Sequence, residues 1–489
     1  MGLILERDRM PSNEPNPTYA LVLSGGGARG AYEAGVMYYI RTRLPPEIAG
    51  QTLFRIYSGT SVGAINTSFL AATADDPLYQ GARLRSLWQN LTSADIYRAD
   101  TRALAGFIVK SGLMAATGVF GLSRYLSGKA GENGNGNPFP FRSILDTTPF
   151  VFYLRRNVLW SALHRNVARR VIDGVTISAT HMLTGRLAMF LEKHPDARYQ
   201  SGGHFPIETM LSPKHILASA AIPVIFPIIR IDGQYYGDGS LQQNTPMSPP
   251  IHMGANRLLV ISLHRKESLG PVPKLSPGEI ESEPKVSDVL GRLLNTVFLD
   301  KLEYDLTQMR RINFLIQDIE KVFGPGCLQK INAMRRELRL PGKEINELQR
   351  VIPFVISPSQ DIGSIAYRHF AQLMRNRRAL SPVHRFFAKL VEGAPEGNND
   401  FISYLMFEHD YLNELIDLGY ADAQREHSRL VNFFTNRELD APVTEANSSL
   451  RTCDRHPEPA VLPSAGRTAD RRCRFFVDGR VRQFYPGKK

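Results

Sequence analysis

Short apolar runs alternate with amphipathic stretches along the first part of the chain, and their order predicts a parallel α/β sheet. Tyr19–Leu23 (YALVL) is an apolar run that ends at three glycines, which is typical of a buried strand. Residues 28–43 have helical spacing and end at two prolines. Phe54–Ser58 predicts a second strand, and an apolar helix follows from Val62 to about residue 73. Strand, turn and helix in repetition favour a parallel sheet covered by helices.

Later apolar runs predict the remaining strands. Two hairpins are expected, one pairing Val175–Ala179 with Arg186–Leu191, the other pairing Ile228–Ile231 with Gln234–Tyr236 across an Asp-Gly turn. Two more buried strands are predicted downstream, at Arg257–Leu263 and Val351–Ile356.

The spread of these strands predicts one long α/β domain over residues 18–437, with a helix-rich part from 286 to 437. Residues 1–17 form an N-terminal extension. Residues 438–489 are predicted to be a basic, disordered tail. From Ala441 onward, Pro, Ser and Arg accumulate without periodicity, and the segment contains ten basic and five acidic residues.

Composition narrows the class of protein. The 489 residues are 43% hydrophobic and 22% charged, as in globular proteins, which excludes collagen-like and fully disordered chains. Three cysteines without CxxC spacing exclude a disulfide scaffold and give no indication of a metal site. The net charge of +12 favours an anionic partner, either nucleic acid or acidic phospholipid.

Two segments bear on targeting. The N-terminus carries four charges at residues 6–9, so it lacks the apolar core of a secretory signal. Leu104–Leu122 approaches the length of a membrane span, but Lys110 lies near its middle. We therefore favour a buried or interfacial helix over a span.

The first motif with chemical meaning is GTSVG at Gly59–Gly63. A serine at a tight turn between a strand and a helix has its hydroxyl lifted out of the sheet, and small neighbours at Gly59 and Gly63 let strand and helix approach. The helix N-terminus also stabilises anions. The preceding strand and following helix indicate that Ser61 is a nucleophile.

The second motif is GGGARG at Gly25–Gly30, which also fits the GxGxxG pattern of a dinucleotide site. Such a site needs an acidic residue at the end of the second strand, and the nearest one, Glu47, lies in a Pro-Pro-Glu loop. Consecutive glycine amides suit an oxyanion hole instead. Arg29 either adds positive charge there or fixes the loop through a salt bridge.

The third motif is Asp238-Gly239. An isolated Asp-Gly pair usually marks a hairpin turn, and Asp232-Gly233 upstream fits that reading. Asp238 is then expected just past the second strand of that hairpin, free to point elsewhere.

Together these motifs resemble the patatin-like phospholipase family over about residues 18–425. The resemblance is carried by Gly25–Gly30, Gly59–Gly63, ASAAIPVIFP at Ala218–Pro227, Asp238-Gly239, and DLGYADA at Asp417–Ala423, which looks like the final helix of such domains. It implies a three-layer α/β/α fold with a mainly parallel sheet plus additional helices.

The resemblance also implies a Ser–Asp dyad that hydrolyses fatty-acyl esters without cofactor or metal. Ser61 would be the nucleophile within the elbow Gly59–Gly63, and Asp238 its base. The amides of Gly25, Gly26 and Gly27 would form the oxyanion hole, with Arg29 in support. One departure is Ser240, where the family often has Gly or Ala.

Several alternatives remain open. A Ser–His–Asp esterase would use His252 or His264, which follow Asp238 in the order found in α/β-hydrolases. A catalytically silent lipid-binding protein and a dinucleotide-binding oxidoreductase are the others. The expected substrate is a phospholipid or another fatty-acyl ester, cleaved by a phospholipase A or lysophospholipase type of reaction.

Charge gives a further expectation. Basic residues cluster beside aromatic ones in one helical region, either as a solvated face over a core or as a face for anionic lipid. They are Arg155, Arg156, Arg165, Arg169 and Arg170. No nucleic-acid module accompanies them. We expect a cytoplasmic protein in peripheral contact with anionic membrane, with export lacking a signal peptide as a further option.

Overall fold

The computed structural model describes residues 17–51, 53–99, 143, 145–200, 205–223, 225–265, 302–337, 347–375 and 400–435. The predictions for Leu104–Leu122, for the tail at 438–489 and for nearly all of the N-terminal extension fall outside these ranges. None of the helices within them is both long and apolar enough to cross a bilayer.

Nine of the described strands form one sheet, and two short ones form a separate ladder. The strands are β1 Tyr19–Leu23, β2 Ile56–Thr60, β3 Arg98–Ala99, β4 Leu145–Asp146, β5 Gly174–His181, β6 Leu187–Lys193, β7 Phe205–Glu208, β8 Ile229–Ile231, β9 Gln234–Asp238, β10 Arg257–Ile261 and β11 Ile352–Ile356. The large sheet runs in the order β11-β10-β1-β2-β5-β6-β7, with β9 paired to β5 and β8 to β9. The five strands from β11 to β5 are parallel, whereas β6 and β9 run antiparallel to β5.

Helices cover the sheet on both faces. They are α1 Ala31–Arg43, α2 Pro46–Ala49, α3 Val62–Ala72, α4 Pro77–Gln89, α5 Ser93–Ile96, α6 Thr148–Asn157, α7 Trp160–Ala168, α8 Pro213–Ser219, α9 Ser248–His252, α10 Leu302–Phe323, α11 Cys327–Glu337, α12 Ile362–Arg375, α13 Asp400–Leu405, α14 His409–Arg425 and α15 His427–Phe434.

The alternation of side chains along β1 explains the layers. Leu21 and Leu23 point into the larger core, which includes residues of α1, α3, α4 and α14. Ala20 and Val22 point to the opposite face, where they join a smaller core with residues of α10. A strand buried on both faces is apolar throughout, as the sequence of β1 is. The predicted three-layer α/β/α fold with a mainly parallel sheet is confirmed.

Most predicted elements are found, with small differences. Strand β2 begins two residues later than predicted, and Phe54 before it is buried in the core. Both hairpins are found, and positive φ angles at Asp232 and Gly233 make the second turn. The helix that holds Asp417–Ala423 is not the final one, since α15 follows it.

Candidate active site

Ser61 stands alone between β2 and α3, in a strained backbone conformation. Its φ of 53° and ψ of −119° lie in a region that residues with a side chain rarely adopt. A Cβ on Gly59 would collide with the carbonyl of Gly63, and a Cβ on Gly63 with the carbonyl of Leu23. The turn therefore closes only because both neighbours are glycines, as the GxSxG spacing predicts.

Ser219 holds this turn in place. The Ser61 amide donates to the Ser219 hydroxyl at 2.8 Å, and that hydroxyl donates to the Ser178 carbonyl at 2.6 Å. Ser219 is fully buried as the last residue of α8. Sequence reasoning assigned it no role, although it lies inside the ASAAIPVIFP segment; that position was the only indication available.

Asp238 is the last residue of β9, not a residue beyond it as predicted. Pairing with Ala179 of β5 fixes its backbone, and its carbonyl accepts from the Thr180 hydroxyl at 2.8 Å. Its carboxylate Oδ2 accepts from Ser61 Oγ at 2.9 Å, while Oδ1 accepts from the Ser240 amide at 2.8 Å. The fold thus brings together two side chains 177 positions apart in the chain.

Burial changes the proton affinity of this carboxylate. Complete removal from water raises the pKa of Asp238 from 3.8 to about 6, although the hydrogen bonds from Ser240 and Ser61 favour the ionised form. At neutral pH the group is still ionised. A base with a pKa closer to the working pH accepts a proton more readily than an ordinary aspartate does.

The glycine loop after β1 lies beside Ser61, but its amides are not equivalent. The Gly25 amide donates to the Asn244 carbonyl at 3.1 Å. None of the described hydrogen bonds uses the amide of Gly26 or Gly27, and Gly27 lines the same cavity as Ser61. Gly25, predicted as an oxyanion donor, thus has its amide occupied by another partner.

Arg29 is buried against the C-terminal helices. Its Nε donates to the Ser403 hydroxyl at 2.8 Å, and its guanidinium lies 4.1 Å from the ring centroid of Tyr404. The side chain is only 3% exposed. A hydrogen bond and a cation–π contact therefore tie the glycine loop to α13.

A narrow apolar cavity opens at Ser61. Its volume is about 30 Å³, room for about two water molecules, and its walls include Trp88, Phe226 and Tyr404. The walls are almost entirely apolar side chains. They fit the start of a hydrocarbon chain, and a longer chain requires lining side chains to move.

The residues of the alternative sites are not assembled. Glu47 lies in α2 and not at a strand end, where a ribose-binding acid is required. Among the described residues, no hydrogen bond joins His252 or His264 to Ser61 or Asp238. The direct bond between those two side chains leaves no place for a histidine between them.

The fold and this site define an α/β protein with a buried serine–carboxylate pair at a strand-to-helix turn. Residues 21–251 match the sequence model of the family described as Patatin-like phospholipase. The match covers just under half of the chain and makes this part similar to a patatin-like phospholipase domain. At the level of the family, this supports a lipid acyl hydrolase.

Solved structures give weaker likenesses. VipD from Legionella pneumophila shares 12% identity over 82% of this chain and 67% of its own, with a TM-score of 0.26. Human GIVD cytosolic phospholipase A2, in complex with methyl gamma-linolenyl fluorophosphonate, shares 11% identity over 86% of this chain and 59% of its own, with a TM-score of 0.28. ExoU, in its complex with SpcU from Pseudomonas aeruginosa, shares 15% identity over 87% of this chain and 79% of its own, with a TM-score of 0.24. At such TM-scores none of these likenesses bears on function, and no curated protein matches the chain in sequence.

Proposed function

We propose that the protein cleaves fatty-acyl esters of phospholipids or lysophospholipids through an acyl-enzyme on Ser61, with Asp238 as the base. The observation that carries the proposal is the 2.9 Å hydrogen bond from Ser61 Oγ to the buried Asp238 carboxylate, beside an apolar cavity that Ser61 lines. The family supports the class of reaction, and the site supplies the residues.

Acylation begins when Asp238 accepts the Ser61 proton as Oγ attacks the ester carbonyl carbon. The negative charge that develops on the carbonyl oxygen needs donors that are already oriented. The amides of Gly26 and Gly27 supply them, while Gly25 contributes the room that its missing side chain leaves. Asp238 then gives its proton to the leaving alcohol.

Deacylation repeats the chemistry with water. Asp238 accepts a proton from water, whose oxygen attacks the acyl carbon, and Ser61 Oγ leaves and recovers the proton. The same carboxylate serves both halves, which requires it to be ionised when each half begins. The raised pKa favours both proton transfers.

The proposed substrate lies at a membrane surface. An acyl chain fits the apolar cavity, and the net charge of +12 attracts anionic headgroups. We therefore include peripheral contact with anionic membrane in the proposal. Ionic strength tests this part, because salt screens surface charge and must weaken vesicle binding.

The decisive experiment compares wild type and Ser61→Ala on a chromogenic fatty-acyl ester and on phospholipid vesicles. A loss of about 10³-fold or more on both is expected. Ser68→Ala is the matched control, since Ser68 is equally buried in α3 and its hydroxyl bonds only the Ala64 carbonyl. Equal activity of wild type and Ser61→Ala ends the hydrolase proposal.

The histidine alternative has its own test. His252→Ala and His264→Ala are each expected to retain activity within about tenfold of wild type. A loss beyond about 10²-fold for either one, in protein that remains folded, favours a Ser–His–Asp triad.

A further inference from the structure

A second and much larger cavity adjoins the active site. It has a volume of about 950 Å³ and lies between the end of α3, helices α4 and α5, and helix α6. We call it the α6 groove. Its walls mix apolar and charged side chains, in contrast to the apolar cavity at Ser61.

Large apolar side chains stand exposed at the α6 groove. Phe152 on α6 is 63% exposed, and Leu159 just after α6 is 61% exposed. Both line the groove beside Arg156. Apolar side chains that project next to arginines are typical of proteins that insert shallowly into a lipid headgroup layer.

The charges of the α6 groove favour an anionic partner. Three arginines line it, and Asp95 is the acid among its lining residues. Asp95 caps α5 at Thr92, and Arg83 pairs with Asp76 at 2.8 Å. That leaves Arg98 and Arg156, both exposed, without an ion pair in the described part of the chain.

The arginines of the basic cluster predicted from the sequence differ in their ion pairs. Arg165 pairs with Asp75 at 3.4 Å, and Arg170 pairs with Asp173 at 3.1 Å. These two belong to a solvated face with internal partners. Arg156 has no such partner and lines the α6 groove.

The α6 groove and the Ser61 cavity share a wall. Leu87 and Tyr153 line both, and the Tyr153 hydroxyl donates to the Leu87 carbonyl at 3.2 Å. That carbonyl belongs to the last turn of α4, where helix carbonyls lack partners within the helix. The two spaces are therefore separated by a pair of side chains.

We propose that the α6 groove is the face on which the protein docks to a bilayer that contains anionic phospholipid. Arg98 and Arg156 contact lipid phosphates, and Phe152 and Leu159 enter the headgroup layer. An acyl chain then reaches Ser61 past Leu87 and Tyr153. The proposal rests on the proposed function for the last step only, since docking itself needs no hydrolysis.

The test measures binding of the Ser61→Ala protein, so that turnover does not alter the vesicles. Cosedimentation compares vesicles of phosphatidylcholine with vesicles of phosphatidylcholine and phosphatidylglycerol in equal parts. Adding Arg98→Gln and Arg156→Gln should weaken binding to the mixed vesicles roughly 30-fold, because each arginine near an anionic surface contributes about fivefold. The effect should largely disappear at about 1 M salt, where the Debye length is only about 3 Å.

A control pair of substitutions removes the same net charge outside the α6 groove. Arg186 and Arg198 are exposed and have no ion pair among the described residues, so Arg186→Gln with Arg198→Gln should weaken binding less than about threefold. Equal losses from both pairs, or no loss from the groove pair, overturn the docking face. In the active protein, the groove pair should lower turnover on mixed vesicles relative to a soluble ester. If Ser61→Ala leaves hydrolysis intact, the proposed function fails while the binding result stands.

An independent observation concerns Asn244. It is only 4% exposed, and neither atom of its carboxamide has a hydrogen-bond partner in the described structure. A Cβ built on Gly25 would lie 2.6 Å from Asn244 Oδ1 and 3.2 Å from Ser61 Cβ. The carboxamide therefore approaches Gly25 on the side where Ser61 lies.

A buried amide without a partner destabilises the fold, so such a group needs an explanation. A Cβ on Gly25 would also collide with the Ser240 hydroxyl, so Ser240 lies near the same position as Asn244. The Ser240 amide donates to the Asp238 carboxylate. The carboxamide, the Ser240 hydroxyl and Ser61 thus meet at Gly25, and Ser240 also contacts the base. We infer that it binds the water that attacks the acyl-enzyme, with one water proton passing to Asp238.

Burst kinetics on a chromogenic ester separate this role from a structural one. Asn244→Ala should keep the burst of the first product while steady-state turnover falls about 10²-fold, and acyl-Ser61 should accumulate in the intact mass. Asn244→Ser provides a second variant if the alanine protein does not fold. Equal loss in burst rate and turnover, or no loss in either, overturns the inference.

Discussion

Asp238→Asn should make the protein more stable while it removes activity. Asparagine has the shape of aspartate, and its Oδ1 still accepts from the Ser240 amide. The buried charge is lost, and the new amide nitrogen donates to Ser61 Oγ where the carboxylate oxygen accepted from it. Since burial raises the pKa of Asp238 from 3.8 to about 6, and one unit corresponds to about 1.4 kcal/mol, the ionised group lowers the free energy of unfolding by about 3 kcal/mol.

The sign follows from proton binding. The folded state holds the Asp238 proton more tightly than the unfolded chain, so stabilisation by protonation is complete below about pH 4 and lost as the pH rises through about 6. The stability gain of Asp238→Asn over wild type should therefore increase by about 3 kcal/mol across that window, and then stay constant towards alkaline pH.

Urea unfolding of wild type and variant at acidic and neutral pH measures this difference, and subtraction removes the contribution of every other group. Asp410→Asn is the control, because it removes one carboxylate whose side chain is 88% exposed. A stability difference that does not change with pH, or a wild type that is the more stable form at neutral pH, refutes the reasoning from burial.

Three other substitutions and one titration test the site. The kcat/KM on a soluble ester should fall about tenfold per pH unit below about 6, because Asp238 must be ionised, and a flat profile contradicts this. Ser219→Ala should lower kcat about tenfold or more at nearly constant KM, because the Ser61 amide loses its acceptor; a change in KM alone argues against positioning. Arg29→Lys should cost about 1–3 kcal/mol in the free energy of unfolding and leave kcat within about threefold, whereas lost kcat at full stability places the guanidinium at the oxyanion. Gly59→Ala should abolish activity and lower Tm, because the new Cβ would collide with the carbonyl of Gly63. An unchanged Tm contradicts that clash.

The sequence predicted those parts of the fold that depend on local patterns. Strand β1 was predicted to the residue, because an apolar run bounded by glycines leaves little choice. The GTSVG turn was predicted because its two glycines are required there for steric reasons. The direct contact between Ser61 and Asp238 came only from resemblance, since nothing local connects positions 177 apart.

What escaped prediction depends on tertiary neighbours. The occupied amide of Gly25 depends on where the Asn244 carbonyl lies, and the contacts of Arg29 depend on α13, which follows hundreds of residues later. Ser219 looks like any other small residue in its segment until the strained turn is packed against it. In each case a local pattern gave the residue type, but the three-dimensional neighbour gave the role.

The position of β1 inside the sheet limits how the chain can be shortened. β1 pairs with β2 on one side and β10 on the other, but the family match ends at residue 251, before β10 begins at Arg257. A fragment cut at that boundary would expose the apolar edge of β1, and an unpaired apolar edge recruits strands from other molecules. Fragments for expression therefore need to include β10, β11 and the helices α12 to α15 that complete the larger core. The packing of the sheet, and not the family boundary, decides where a well-behaved shortened protein ends.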